Sequence, residues 1–250
     1  MRRHVLDALP ALAAVAVLAV SGCSSSASHP AAAPSSAPGT PSTSPSIDAT
    51  CLQGDPDAAK HVTHFEGGNG HNVEAYTIGT GPIGVVLAHQ VDATLCQWSS
   101  IWTDFPANDY TVMAITMGGG IDTDVAKAVE QLRARGHQKI VLIGASMGGS
   151  AVLAAAGEVT PAVQGVVSLS GPTAYGPADA VSAVKTFQVP VAFFAGDEDS
   201  RFATDAQRMY DATAEKDKTL HILKNDRDHG VDLWPQVKNE VFAFIAKHVQ

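Results

Sequence analysis

The sequence predicts an α/β fold: a mainly parallel central sheet with helices on both faces. Three observations predict it. Short apolar runs alternate with helix-like segments from about residue 60 onward. Two of those runs, IGVVLA at 83–88 and KIVLI at 139–143, are apolar without a break, the mark of a strand buried on both faces of a sheet. Strands spaced by roughly ten to fifteen residues of helix need crossovers, which are right-handed and lay the strands parallel. The 250 residues suffice for one such domain with a sizeable core.

The elements follow in order. Residues 73–78 alternate and read as an early strand, and 83–88 as a central one. Residues 97–105 read as a helix stopped at Pro106. Residues 110–117 form a strand closed by Gly118-Gly119-Gly120. A helix over 122–135 aligns Val125, Val129 and Leu132 on one face and stops at Gly136. The strand 139–143 leads into a small-residue helix at 147–156. Strands at 163–169 and 189–195, a helix at 204–215, a strand at 219–223 and a helix at 234–249 complete the pattern. In such sheets chemistry gathers at the carboxyl ends of the strands.

Charge narrows the function. Lys and Arg number 16 against 25 Asp and Glu, net −9, with no basic run. A surface that tracks nucleic-acid phosphates needs the opposite sign. The 45% apolar content rules out a wholly disordered chain. No apolar run reaches the ~18 residues of a membrane span, which rules out a polytopic membrane protein.

The first fifty residues read as address and tether. Arg2 and Arg3 precede an apolar stretch at 9–20, the outline of a signal peptide. It ends in Val20-Ser21-Gly22-Cys23, which resembles the lipobox of bacterial lipoproteins. The resemblance implies cleavage after residue 22, a diacylglyceryl group on the Cys23 thiol, and a domain held outside the cell membrane. Cleavage removes Arg2, Arg3 and Asp7, taking the net charge from −9 to −10. Residues 24–46 contain only Ser, Ala, Pro, His, Gly and Thr and bury too little to offset ordering. Residues 23–49 are expected as a flexible linker and 50–250 as the folded domain. With Cys23 lipidated, Cys51 and Cys96 remain, an even pair in an oxidising compartment and an expected disulfide.

One segment carries the chemistry. Gly144-Ala145-Ser146-Met147-Gly148 is a G-x-S-x-G that follows the KIVLI strand and opens a helix. The bare pattern is weak, and the strand–turn–helix context makes it specific. A sharp turn there exposes the hydroxyl, with the helix N-terminus behind it favouring negative charge.

At this point the sequence resembles the α/β-hydrolase superfamily, over residues 60 to 250, with dienelactone-hydrolase-like enzymes the nearest subgroup. Many of those use Cys where this chain has Ser146. The resemblance implies a Ser-His-Asp triad in the order nucleophile, acid, histidine. Gly196-Asp197-Glu198-Asp199 follows the 189–195 strand, and the family spacing selects Asp199, with Asp197 and Glu198 as rivals. His229, in a loop after the last strand and before Gly230, matches the catalytic histidine. His221 and His248 lie within a strand and a helix and read as structural.

The oxyanion donors implied are the backbone N–H of Met147 and one from the loop His89-Gln90-Val91-Asp92. Relatives usually read His-Gly there, and Gln90 departs from that. Val91 N–H is the expected donor, with Gln90 as rival. Trp98, Tyr175 and Phe202 are candidate walls of the substrate pocket. The short 169–189 segment implies little or no cap over the site. No metal-ligand cluster and no G-x-G-x-x-G opening a helix is present, so no metal and no cofactor is expected. The expected partner is a small-molecule or lipid-like ester, and the protein reads as a monomer. A non-catalytic lipoprotein keeping the fold for binding, or an acyltransferase or peptidase on the same triad, are the alternatives.

Overall fold

A computed structural model describes residues 47–250. The expected signal peptide 1–22, Cys23 and the spacer 24–46 lie outside the described residues. Eight strands make one sheet: β1 Val62–Glu66, β2 Asn72–Ile78, β3 Ile83–Ala88, β4 Tyr110–Thr116, β5 Lys139–Ala145, β6 Gly165–Leu169, β7 Val191–Gly196 and β8 Lys218–Leu223. Their order is β1-β2-β4-β3-β5-β6-β7-β8. The six strands from β4 to β8 in that order run parallel, while β2 pairs antiparallel with β4 and β1 with β2. The helices are α1 Ala58–His61, α2 Ile121–Ala134, α3 Met147–Glu158, α4 Ala180–Ala183, α5 Phe202–Ala212 and α6 Trp234–His248.

The sheet has a core on each face because strand side chains alternate. Val86, Met113 and Ile115 pack under α2 and α3, against Val125, Leu132 and Val152. Val85, Leu87 and Ile143 point the other way, into a cluster with Trp98, Trp234, Val241 and Ile245. The unbroken runs of β3 and β5 are buried on both sides, as their sequences require.

Three local readings need correction. β1 is absent from the sequence reading: VTHFE buries Val62 and Phe65 with two half-exposed residues between, so no period-2 signal survives at this sheet edge. The expected helix at 97–105 is instead two 3₁₀ turns, Leu95–Trp98 and Trp102–Asp104. Its backbone bonds run i to i+3, from Ile101 N–H to Trp98 O and from Asp104 N–H to Ile101 O. The apolar positions 95, 98 and 101 fit that tighter period as well as an α-helical face. The folded part also begins before residue 50. Ala49 is buried and Asp48 N–H donates to Glu74 Oε1 at 2.8 Å.

Cys51 and Cys96 are bonded, with Cα atoms 5.5 Å apart across 45 positions of sequence. In the chain-entropy picture a loop of that size contributes about 4 kcal/mol. Between β6 and β7 the chain makes a loop with an isolated Tyr175–Ala178 bridge and the single turn α4. No cap domain is built there.

Candidate active site

Ser146 sits between β5 and α3 with φ 49° and ψ −115°. A positive φ on a residue with a Cβ is strained and holds only where the surroundings enforce it. Ser146 N–H donates to Leu169 O at 2.8 Å, tying the turn to the end of β6. Gly148 N–H donates to His89 O at 3.1 Å, tying it to the loop after β3. A Cβ at Gly148 would strike the Ala88 carbonyl, so only glycine allows that approach.

His229 follows β8, and its Nδ1 lies 2.8 Å from Asp199 Oδ2, beyond the end of β7. Facing a carboxylate oxygen, Nδ1 carries the proton and Nε2 keeps its lone pair. The two rival acids are engaged elsewhere. Asp197 Oδ1 accepts from Asp226 N–H at 3.3 Å and Oδ2 lies 3.5 Å from Lys224 Nζ. Glu198 takes the Arg227 guanidinium at 2.8 Å. His221 stacks on Phe194, centroids 4.6 Å apart, and His248 ends α6 near Asp217.

The loop after β3 is held from three sides. His89 is buried, and its Nε2 accepts Met117 N–H at 2.8 Å while Nδ1 donates to Gln90 O at 2.5 Å. Burial pushes its pKa down, against the opposing pull of those bonds and of Asp124. Gln90 N–H donates to Gln97 Oε1 at 2.8 Å, and Gln90 Oε1 accepts Val231 N–H at 2.8 Å. Gln90 is therefore not a free backbone donor, which corrects its standing as a rival to Val91. The N–H groups of Val91 and Met147 meet no acceptor among the described residues. Gly230, at φ 58°, lies so close to Gln90 that any Cβ would collide with its side-chain amide, and such a Cβ would also come within 3.3 Å of Ala145 Cβ. The His229 loop is thereby seated on the residue before Ser146.

The expected pocket residues divide. The Phe202 ring lies 4.4 Å from the His229 ring, centroid to centroid, and Tyr175 is exposed on the β6–β7 loop. Trp98 is wholly buried in the second core and lines no pocket: its 3₁₀ turn directs it inward with Leu95. Gln97, Met117 and the bridging role of Gln90 escaped sequence reading. Their hydrogen bonds join segments 7, 28 and 141 residues apart, separations that leave no local pattern.

Known structures share this architecture. An esterase domain from Rhodothermus marinus superposes with TM-score 0.60 at 19% identity, covering 76% of this chain and 98% of that one. A dienelactone hydrolase from Anabaena variabilis gives 0.60 at 18%, covering 76% and 100%. The Pyrococcus furiosus esterase gives 0.64 at 14%, covering 76% and 92%. The chain has the α/β-hydrolase fold. Within it, residues 108–231 match the Dienelactone hydrolase family, a segment that includes Ser146, Asp199 and His229. No curated protein matches the sequence. For an α/β-hydrolase fold, the strained serine and the histidine–aspartate pair stand at strand ends where the architecture concentrates reactive groups.

Proposed function

We propose that this chain is a serine hydrolase that cleaves carboxylic esters through an acyl-enzyme on Ser146. One observation carries the reading: Ser146 occupies a strained strand-to-helix turn while His229, its Nδ1 anchored 2.8 Å from Asp199, presents an Nε2 that has no partner among the described residues. The family match over 108–231 and the fold support a hydrolase acting on esters.

In this mechanism His229 Nε2 takes the Ser146 proton as Oγ attacks the ester carbonyl carbon. Asp199 holds the ring tautomer and stabilises the imidazolium. The N–H groups of Met147 and Val91 receive the oxyanion, where a single donor is worth about 10²–10³ in rate. Collapse breaks the C–O bond, and the leaving alkoxide takes the proton from His229. Water, deprotonated by the same ring, then releases the acid and restores Ser146. With no cap over the β6–β7 loop and a half-buried His229, the site favours accessible esters. The hydrogen bonds of Gln90 give the departure from His-Gly a structural use, so that departure no longer favours a non-catalytic role.

The same proposal places the enzyme outside the cell membrane on lipidated Cys23. The catalytic part is tested with a fluorophosphonate probe and a p-nitrophenyl ester. Wild type is expected to label and turn over. Ser146→Ala and His229→Ala are expected to lose turnover by up to about 10⁶, the scale of triad knock-outs, with the circular dichroism spectrum unchanged. Labelling of Ser146→Ala at the wild-type level would overturn the nucleophile assignment.

A further inference from the structure

One cavity of the domain has no part in this chemistry. It measures about 390 Å³ and lies at the end of the sheet opposite Ser146, where the start of β4 and the C-terminal end of α2 meet β1 and β2. Its walls carry Lys60, His61, Arg135 and His137, together with Thr63 and Thr77. No carboxylate lines it among the described residues, in a chain whose acids outnumber its bases by 25 to 16.

The donors are partly fixed. Arg135 gives one terminal N–H to Thr63 Oγ1 at 3.1 Å, which orients the guanidinium and leaves its remaining N–H groups to other acceptors. Lys60 Nζ touches Asp57 at 2.5 Å and keeps two further N–H groups. His61 Nδ1 lies 3.1 Å from Thr77 O and His137 Nδ1 3.4 Å from Pro82 O. Each ring thus has its Nδ1 facing a carbonyl. Independently of these charges, Thr77 is only 8% exposed, lines the cavity, and has a buried Oγ1 with no hydrogen-bond partner among the described residues. A buried hydroxyl without a partner is unfavourable unless an acceptor reaches it.

We infer that this cavity binds a phosphate-type oxyanion. The exposed Arg135 guanidinium, oriented by Thr63, and the Lys60 ammonium, which shares its charge with Asp57, are donors for a phosphate-type oxyanion, and the Thr77 hydroxyl lies beneath the surface they line. The volume exceeds that of one phosphate group, so a diphosphate or a phosphate ester fits. The phosphate comes either from a soluble molecule or from a lipid headgroup.

Isothermal titration of the Cys23→Ala chain with pyrophosphate, at constant ionic strength, tests this. Saturable binding with a Kd below about 1 mM is expected. Arg135→Gln is expected to weaken it tenfold or more, and the shape-conserving Thr77→Val several-fold, with ester turnover unchanged in both. Thr77→Val keeps the test valid should Arg135→Gln fail to fold. Co-sedimentation of the same chain with phosphatidylglycerol vesicles, lost in Arg135→Gln, identifies the headgroup as the source. Pyrophosphate binding without co-sedimentation identifies a soluble phosphate. Equal heats from potassium chloride, or wild-type pyrophosphate affinity in both variants without Arg135-dependent vesicle binding, would overturn the site.

Discussion

At the residue scale the acid is the discriminating position. Three carboxylates follow β7 within three residues, and only Asp199 reaches the His229 ring. Replacing it with Asn keeps the shape but favours the wrong tautomer, which costs about 10⁴ in turnover where triads have been dissected. Asp199→Asn is therefore expected to lose about that much kcat in a p-nitrophenyl ester assay, and Asp197→Asn to stay near wild type. The reverse ranking would move the acid to Asp197. His89 carries a second prediction. Its folded pKa lies below the ordinary 6.5, chiefly through burial. Above that value the ring is neutral in both folded and unfolded chains, and its contribution is complete. As pH falls below it, the unfolded chain takes up a proton that the folded chain resists, and stability drops. His248, depressed mainly by burial as well, acts with the same sign. The thermal midpoint is expected to fall between pH 7 and 5.5, and to fall less in His89→Gln. A midpoint equally steep in that variant would exclude His89 as a source.

At the element scale the site is an assembly of loops at strand ends, and Gln90 joins two of them. Its Oε1 receives Val231 N–H, two positions beyond His229, while its own N–H is held by Gln97. Gln90→Met keeps the length and removes the acceptor, leaving an N–H unpaired at a cost of about 1–3 kcal/mol. Spread over the His229 loop, that predicts a kcat lower by about ten- to hundredfold, with KM little changed and partial recovery in Gln90→Glu. A Gln90→Met enzyme with wild-type kcat would show that the loop stands without this bond. The strand–helix alternation was legible in the sequence because apolar runs such as IGVVLA and KIVLI report burial directly. The sharp turn at Ser146 was legible because strand, turn and helix are consecutive there. The role of Gln90 was not, since its partner lies 141 residues away. Nor was β1, whose edge position blurs the alternation, or the 3₁₀ character of the turns around Trp98, where two helical periods fit the same apolar residues.

At the scale of the whole molecule, anchoring and architecture bear on what the enzyme meets. The proposed lipid on Cys23 would be followed by residues 24–46, free of Asp, Glu, Lys, Arg, Phe, Tyr and Trp, with an end-to-end distance on the order of 25 Å if flexible. A mature charge of −10 would be repelled by an anionic surface, so the lipid is expected to supply the attachment. Cys23→Ala should move the protein from the detergent fraction to the soluble one while purified enzyme keeps its turnover. Retention of a Cys23→Ala, Arg135→Gln double variant in washed membranes would refute lipid anchoring. The chain between β6 and β7 adds a loop and one helical turn where a lid would stand. An acyl group carried on Ser146, itself only 7% exposed, would therefore be reached by water without any lid having to open. Water, at about 55 M the most abundant nucleophile present, would then outcompete dilute alcohols and amines, so each turnover is expected to end in a free acid.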